Sequence, residues 1–156
     1  MDLFEKFINV IAAFEDNNVE YILIGGFAVV LHGFPRLTQD IDIFIRPEKN
    51  NIDNLKTALK QVFDDPAIEE ITLEELNRYP VIRYGTPDGF NIDLIAKIGE
   101  VFSFDDVICE KHIIEGQSIK IATTESLIKL KENTMREVDA IDLQFLRKKQ
   151  KNKNDG

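Results

Sequence analysis

The sequence predicts an α/β domain of the α+β kind, a small mixed, mostly antiparallel sheet flanked by helices packed mainly on one face. Three observations carry this. An apolar pattern of helical period opens the 156-residue chain, a short apolar run ends in Gly25-Gly26, and a strictly alternating segment, Asp40–Ile45, follows soon after.

Leu3, Phe4, Phe7, Ile8, Val10, Ile11 and Phe14 recur at helical spacing, so residues 2–16 form an amphipathic helix ended by Asp16-Asn17-Asn18. Residues 19–24 read as a short buried strand, and residues 27–31 as a helix that begins after the glycine pair. His32-Gly33-Phe34-Pro35 breaks that helix. Along Asp40–Ile45, Asp40, Asp42 and Phe44 fall on one face and Ile41, Ile43 and Ile45 on the other, so the isoleucines face the core and the aspartates a cleft. Pro47 stops the strand, and residues 51–63 repeat apolar positions at helical spacing and cover the sheet. The polar, acidic stretch 64–78 has no readable period. Residues 81–84 and 90–95 form a hairpin through Thr86-Pro87-Asp88-Gly89, where Pro at the second turn position and Gly at the fourth favour a type I turn. Asn91, Asp93 and Ile95 share one face of its second strand. Cys109–Ile114 and residues 118–121 make a further hairpin around Glu115-Gly116-Gln117. Thr123-Thr124-Glu125-Ser126 caps a helix carrying Leu127, Ile128 and Leu130, and a last helix carries Val138, Ile141, Leu143, Phe145 and Leu146.

With 44% hydrophobic residues the chain has material for one core, and we read residues 1–146 as one domain followed by a basic tail, 147–156. No apolar run approaches the roughly 20 residues that span a bilayer, and Asp2, Glu5 and Lys6 make a poor secretory signal, so a cytoplasmic protein without membrane contact is expected. The single cysteine, Cys109, cannot form an internal disulfide and, beside Val107 and Ile108, is expected to be buried. A net charge of −9 argues against a surface built to hold a long nucleic acid backbone. The tail is the exception: Arg147, Lys148, Lys149, Lys151 and Lys153 lie within it, and without it 14 basic residues face 27 acidic ones, a net of −13. Its expected state is frayed and solvating, with a contact to RNA or an acidic partner as the alternative.

Two aspartates at i and i+2 of one strand place their carboxylates on the same side, about 6.6 Å apart along the backbone. Asp93, on the neighbouring hairpin, supplies a third. Hard oxygen donors of this kind suit Mg²⁺, and in a two-ion arrangement Asp40 and Asp42 hold both ions while Asp93 serves the catalytic one and helps activate the nucleophile. Gly25 and Gly26, lacking Cβ, let the backbone approach a phosphate while amides at the start of the following helix, beginning with Phe27, point at it. Arg36 places a guanidinium against a phosphate, and Thr38 fixes the start of the strand. Taken alone, a glycine pair is an ordinary turn and Asp-x-Asp an ordinary solvated face or sheet edge. A plain calcium-binding or structural domain is a further alternative, although the spacing is unlike an EF-hand loop. The ordered combination is what points to chemistry on a nucleoside triphosphate.

In that order and spacing, Gly25-Gly26, a short helix, Asp40-Ile41-Asp42 and Asp93, the chain resembles the nucleotidyltransferase superfamily of DNA polymerase β. The stretch from His32 to Asp42 is similar to small bacterial and archaeal members, among them minimal nucleotidyltransferases and the toxin-type enzymes of abortive-infection systems. Residues 127–131 and 136–142 resemble the closing helices of the same group, so the likeness covers nearly the whole domain. It implies the nucleotidyltransferase fold, two Mg²⁺ ions with Mn²⁺ as a substitute, and transfer of a nucleoside monophosphate from an NTP such as ATP to an acceptor hydroxyl of a tRNA, a protein or a small molecule. It also implies that Lys131 approaches the nucleotide phosphates and that Asp139 or Asp142 belongs to the site's surroundings. Two departures stand out: Phe27 follows the glycines where many active members have Ser, and Val138 stands where the closing helix often has Lys. They motivate the alternative of a catalytically degenerate nucleotide-binding component of a toxin–antitoxin or phage-defence module, working with a partner protein from a two-gene unit.

Overall fold

A computed structural model describes residues 2–34, 38, 40–98, 102–132 and 137–155, with only the backbone described at 137–139, 154 and 155. Helix α1 (Leu3–Asp16) starts where the Asp2 carboxylate accepts the Glu5 amide at 2.8 Å, and it turns Phe7, Val10, Ile11 and Phe14 into the core. Strand β1 (Tyr21–Ile24) is buried throughout and runs directly into α2 (Gly25–Leu31), so the glycine pair opens the helix rather than preceding it. Gly25 has φ +71°, a left-handed conformation that lets one residue complete the turn. Strand β2 (Asp40–Ile45) and helix α3 (Lys49–Val62) follow.

The stretch without a period holds a 3-10 turn, Pro66–Glu70, and helix α4 (Leu73–Arg78). Both are set by caps: Asp65 accepts the Ala67 amide at 3.0 Å and Thr72 the Glu75 amide at 3.1 Å. Strands β3 (Val81–Gly85) and β4 (Asn91–Ile95) form the first expected hairpin, and β5 (Cys109–Ile114) and β6 (Gln117–Ala122) the second. Helices α5 (Thr124–Lys131) and α6 (Glu137–Asp155) close the chain.

The six strands lie in the order β3-β4-β2-β1-β6-β5. Pairs β1/β2, β3/β4 and β5/β6 are antiparallel, whereas β2/β4 and β1/β6 are parallel, giving the mixed, mostly antiparallel sheet expected from sequence. As a result, the end of β1 and the starts of β2 and β4 meet at one edge of the sheet. Asn51, buried on α3, ties the opposite ends of β1 and β2 together: it accepts the Glu20 amide at 2.7 Å and donates to the carbonyls of Glu20 at 3.0 Å and Arg46 at 2.9 Å. Phe7 of α1 stacks on Phe27 of α2 with centroids 4.6 Å apart, which fixes α2 against the sheet.

Two expectations change here. Cys109 is exposed, because β5 is an edge strand and its alternate side chains face outward. Residues 147–155 continue α6 as helix where the sequence suggested a tail. That helix is fastened by tertiary contacts: Phe145 stacks on Phe34 at 4.8 Å, Leu146 is fully buried, and Lys149 reaches His32. No described helix is long and apolar enough to cross a membrane.

His32, at the end of α2, defines its own tautomer. Its Nε2 meets the Ala122 carbonyl at 2.9 Å, which only accepts, and its Nδ1 meets the Lys149 ammonium at 2.9 Å, which only donates, so Nε2 carries the proton. Lys149 also donates to the His32 carbonyl at 2.7 Å. Burial foremost, with the Lys149 charge and neighbouring His112 adding to it, holds the His32 pKa below its usual value, against the Ala122 bond and Glu110. The ring therefore binds its proton more readily in the unfolded chain, so its contribution is complete above about pH 6.5 and is lost as pH falls from there toward the folded pKa. We expect the urea midpoint to decline on acidification through this window, and the decline to flatten in His32→Gln. Glu110, whose carboxyl is held down by His112, adds its own loss at lower pH, below its ordinary 4.5, and that part remains in the variant.

Candidate active site

The sheet edge where β1 ends is built by register. Asp42 of β2 is the Cα partner of Asp93 on parallel β4, and Asp93 is the partner of Arg83 on antiparallel β3. Partnered residues share a face, so Asp42, Asp93 and Arg83 form one row, with Asp40 beside Asn91 in the next. Asp93 has a side chain only 10% exposed, and Arg83 Nε and Nη2 donate to its two oxygens at 2.9 and 3.0 Å. The same Nη2 lies 3.5 Å from Asp40 Oδ2, so one guanidinium reaches two of the three carboxylates. The Asp93 hydrogen bonds, then the charges of Asp93, Asp40 and Asp42, raise the pKa of the Arg83 guanidinium. Asn91 Nδ2 donates to Asp40 Oδ1 at 3.4 Å, and Thr38 Oγ1 to the Asp40 carbonyl at 3.3 Å.

The glycine turn closes on this row. A Cβ built on Gly25 would lie 2.0 Å from Asp42 Oδ2 and 2.8 Å from its Cβ and Cγ, so backbone and carboxylate are in contact and only glycine fits between them. Gly26 is buried beside it. Phe27 has its ring in the core, 5% exposed, so any contact of this residue with nucleotide is made by its backbone. Phe44, although on the aspartate face of β2, is fully buried. Phe104 covers it at 6.1 Å, with Arg46 lying over the Phe104 ring at 4.6 Å and paired to Asp105 at 2.7 Å. The open part of that face is therefore its Asp40–Asp42 end.

Lys131 is buried and lies 3.0 Å from Asp142, which is itself fully buried, so the two join α5 to α6. Arg36 lies outside the described residues, as do the side chains of Val138 and Asp139. Arg83 is the site residue that the sequence reading missed.

Among the described residues no three His, Cys, Asp or Glu side chains close a metal cluster by themselves. The donor set nevertheless fits a hard divalent cation: three carboxylates of adjacent strands on one face, two of them already sharing a single positive group.

Residues 10–121 match the family described as "Nucleotidyl transferase AbiEii toxin, Type IV TA system". The chain belongs to the AbiEii family. An AbiEii protein is a nucleotidyl transferase of the toxin class, and the matched span includes Gly25, Asp40, Asp42 and Asp93. No curated protein matches the chain. Among solved structures it is similar to the lincosamide antibiotic adenylyltransferase LnuA, with TM-score 0.62 and 16% identity over 92% of this chain and 95% of that one. It is also similar to an antigenic nucleotidyltransferase-like protein from Paracoccidioides brasiliensis, with TM-score 0.53 and 22% identity over 90% and 74% of the two chains. A third, ANT(2")-Ia, gives TM-score 0.51 and 15% identity over 90% and 84%. At these identities the likeness establishes the fold, which is the nucleotidyltransferase fold of the AbiEii family.

The contact between turn and carboxylate makes a sharp test. Gly25→Ala introduces a Cβ into the space of Asp42 in a backbone conformation that itself costs a non-glycine residue about 1 kcal/mol. Gly116→Ala has a comparable φ of +81° with nothing within 4 Å. Both variants should lose stability in urea titrations, while nucleotidyl transfer should fall at least about tenfold in Gly25→Ala alone, since a displacement near 1 Å at a reacting site has that effect or more.

Proposed function

We propose that this AbiEii protein transfers a nucleoside monophosphate from an NTP to an acceptor hydroxyl, releases pyrophosphate, and depends on a divalent metal for the reaction. The observation that carries the reading is the row Asp42–Asp93 with Asp40 beside it, pressed against the Gly25 turn. The bond formed joins the acceptor oxygen to the α-phosphorus, and the bond broken joins that phosphorus to the oxygen bridging to the β-phosphate. Asp40, Asp42 and Asp93 would hold Mg²⁺, or Mn²⁺ in its place, which when bound would supply positive charge to the triphosphate and make the acceptor hydroxyl more acidic. Asp93, the most buried of the three, takes up the hydroxyl proton. Gly25 and Gly26 leave a backbone without side chains beside the carboxylates, where phosphate oxygens can approach closely. Arg36, four residues before Asp40 in the sequence, would offer a guanidinium to the phosphates, and Thr38 holds the entry to β2 through the Asp40 carbonyl. Lys131 joins them only if its pair with Asp142 parts.

The acceptor hydroxyl belongs to a tRNA, a protein or a small molecule. The drug-modifying structural neighbours make the last a real candidate, and the Lys-rich α6 the first. The family's place in toxin–antitoxin systems implies an antitoxin as the product of a companion gene. A second reading, a nucleotide-binding component without turnover, is favoured by the burial of Phe27, which leaves no side-chain hydroxyl after the glycines.

Labelled NTPs with Mg²⁺ and a panel of acceptors decide between the two. Label transfer and pyrophosphate release should occur in the wild type and fall by about a thousandfold or more in Asp42→Asn and Asp93→Asn, in keeping with several kcal/mol of metal-borne stabilisation. Turnover unaffected by either substitution would remove the proposal. Calorimetric binding of Mg-NTP by the wild type with no transfer to any acceptor would favour the second reading.

A further inference from the structure

Arg83 touches two members of the carboxylate row at once. It satisfies both oxygens of Asp93 and extends to Asp40 on the next strand but one, so it stands among the oxygens that a metal would need. Its own side chain is 58% exposed and the strand that carries it is the sheet edge, so the guanidinium is free to swing outward in a way that Asp93 is not. Asp93, in contrast, is held within the sheet between β2 and β3. The fixed partner is the acid and the movable one is the base.

We propose that Arg83 is a displaceable internal cation: it neutralises Asp93 and Asp40 in the metal-free protein, competes with divalent metal for them, and is released to the phosphates when metal and nucleotide bind together. The inference rests on the metal-dependent reading above. Metal alone must break a bidentate ion pair to reach Asp93, so it binds weakly. Metal arriving with a triphosphate gives the released guanidinium a new anionic partner, so the two ligands bind cooperatively. The protein then avoids filling its site with metal in the absence of substrate. A purely structural cross-strand pair would leave metal affinity unchanged when removed.

The test is Mn²⁺ binding to the full chain, followed by the paramagnetic signal of free Mn²⁺, with and without a non-hydrolysable ATP analogue. Arg83→Met should bind Mn²⁺ alone about tenfold tighter than the wild type, the equivalent of one charged hydrogen-bonded pair, and should show about tenfold less cooperativity with nucleotide, the remainder coming from contact of metal with triphosphate. Arg83→Lys, which keeps the charge but not the fork, should lie between them. In thermal melts, Arg83→Met should be less stable than the wild type without metal and gain more from Mn²⁺. Equal Mn²⁺ affinities in wild type and Arg83→Met would overturn the proposal, as would cooperativity with nucleotide that is undiminished in the variant. Asp93→Asn separates the two levels: if it weakens Mn²⁺ binding while Arg83→Met does not change it, only the role of Arg83 fails, and if it has no effect in either background, the metal reading fails as well.

Discussion

Like charges held on neighbouring strands set the terms for the rest of this molecule. Paired strands lie about 4.8 Å apart, so the parallel register that makes Asp42 and Asp93 partners brings two carboxylates close together at the edge of a low-dielectric sheet. Such an arrangement raises the free energy of the fold unless positive charge is supplied. Among the described residues, the Arg83 guanidinium across the β3/β4 ladder supplies such charge to Asp93 and Asp40. The apolar faces of the same strands, with Ile41, Ile43, Ile92 and Leu94 fully buried, hold the acids in register against their repulsion.

The remaining elements protect that edge. The Phe7–Phe27 stack anchors α2 so that its glycine start stays against Asp42, and Asn51 locks the far ends of β1 and β2 so that their register cannot slip. A one-residue slip would turn the aspartates into the core and the isoleucines outward. At the other end of α2, His32 takes a hydrogen bond from Lys149 and gives one to Ala122, joining α2, α6 and β6. The edge is thus fixed from both ends of one seven-residue helix.

Much of this was legible because the relevant signals are local. The period of residues 3–14 gives α1, and the alternation of Asp40–Ile45 assigns each side chain of β2 to a face. Helix α4 and the turn before it were not legible, because capping side chains and not apolar period define them. Arg83 was lost to a single residue of register. A simple type I turn at Thr86-Pro87-Asp88-Gly89 pairs Thr86 with Gly89 and places Arg83 opposite Ile92. In the structure Thr86 bonds Phe90 and Gly89 takes φ +90°, an extra residue that brings Arg83 opposite Asp93. The burial of Cys109 was misread because composition cannot tell an edge strand from an inner one, and the extent of α6 because its support comes from Phe34 and His32, far away in the chain.

The contact between Gly25 and the Asp42 carboxylate also has a historical dimension. The two positions are one steric unit: a side chain at 25 meets the acid at 42 and forces it to shift, whereas shortening the residue at 42 opens the space first. The least-strained route by which such a chain sheds its chemistry therefore has an order. The acid is lost at less steric cost before the glycine than after it, because its departure leaves room for the side chain that follows.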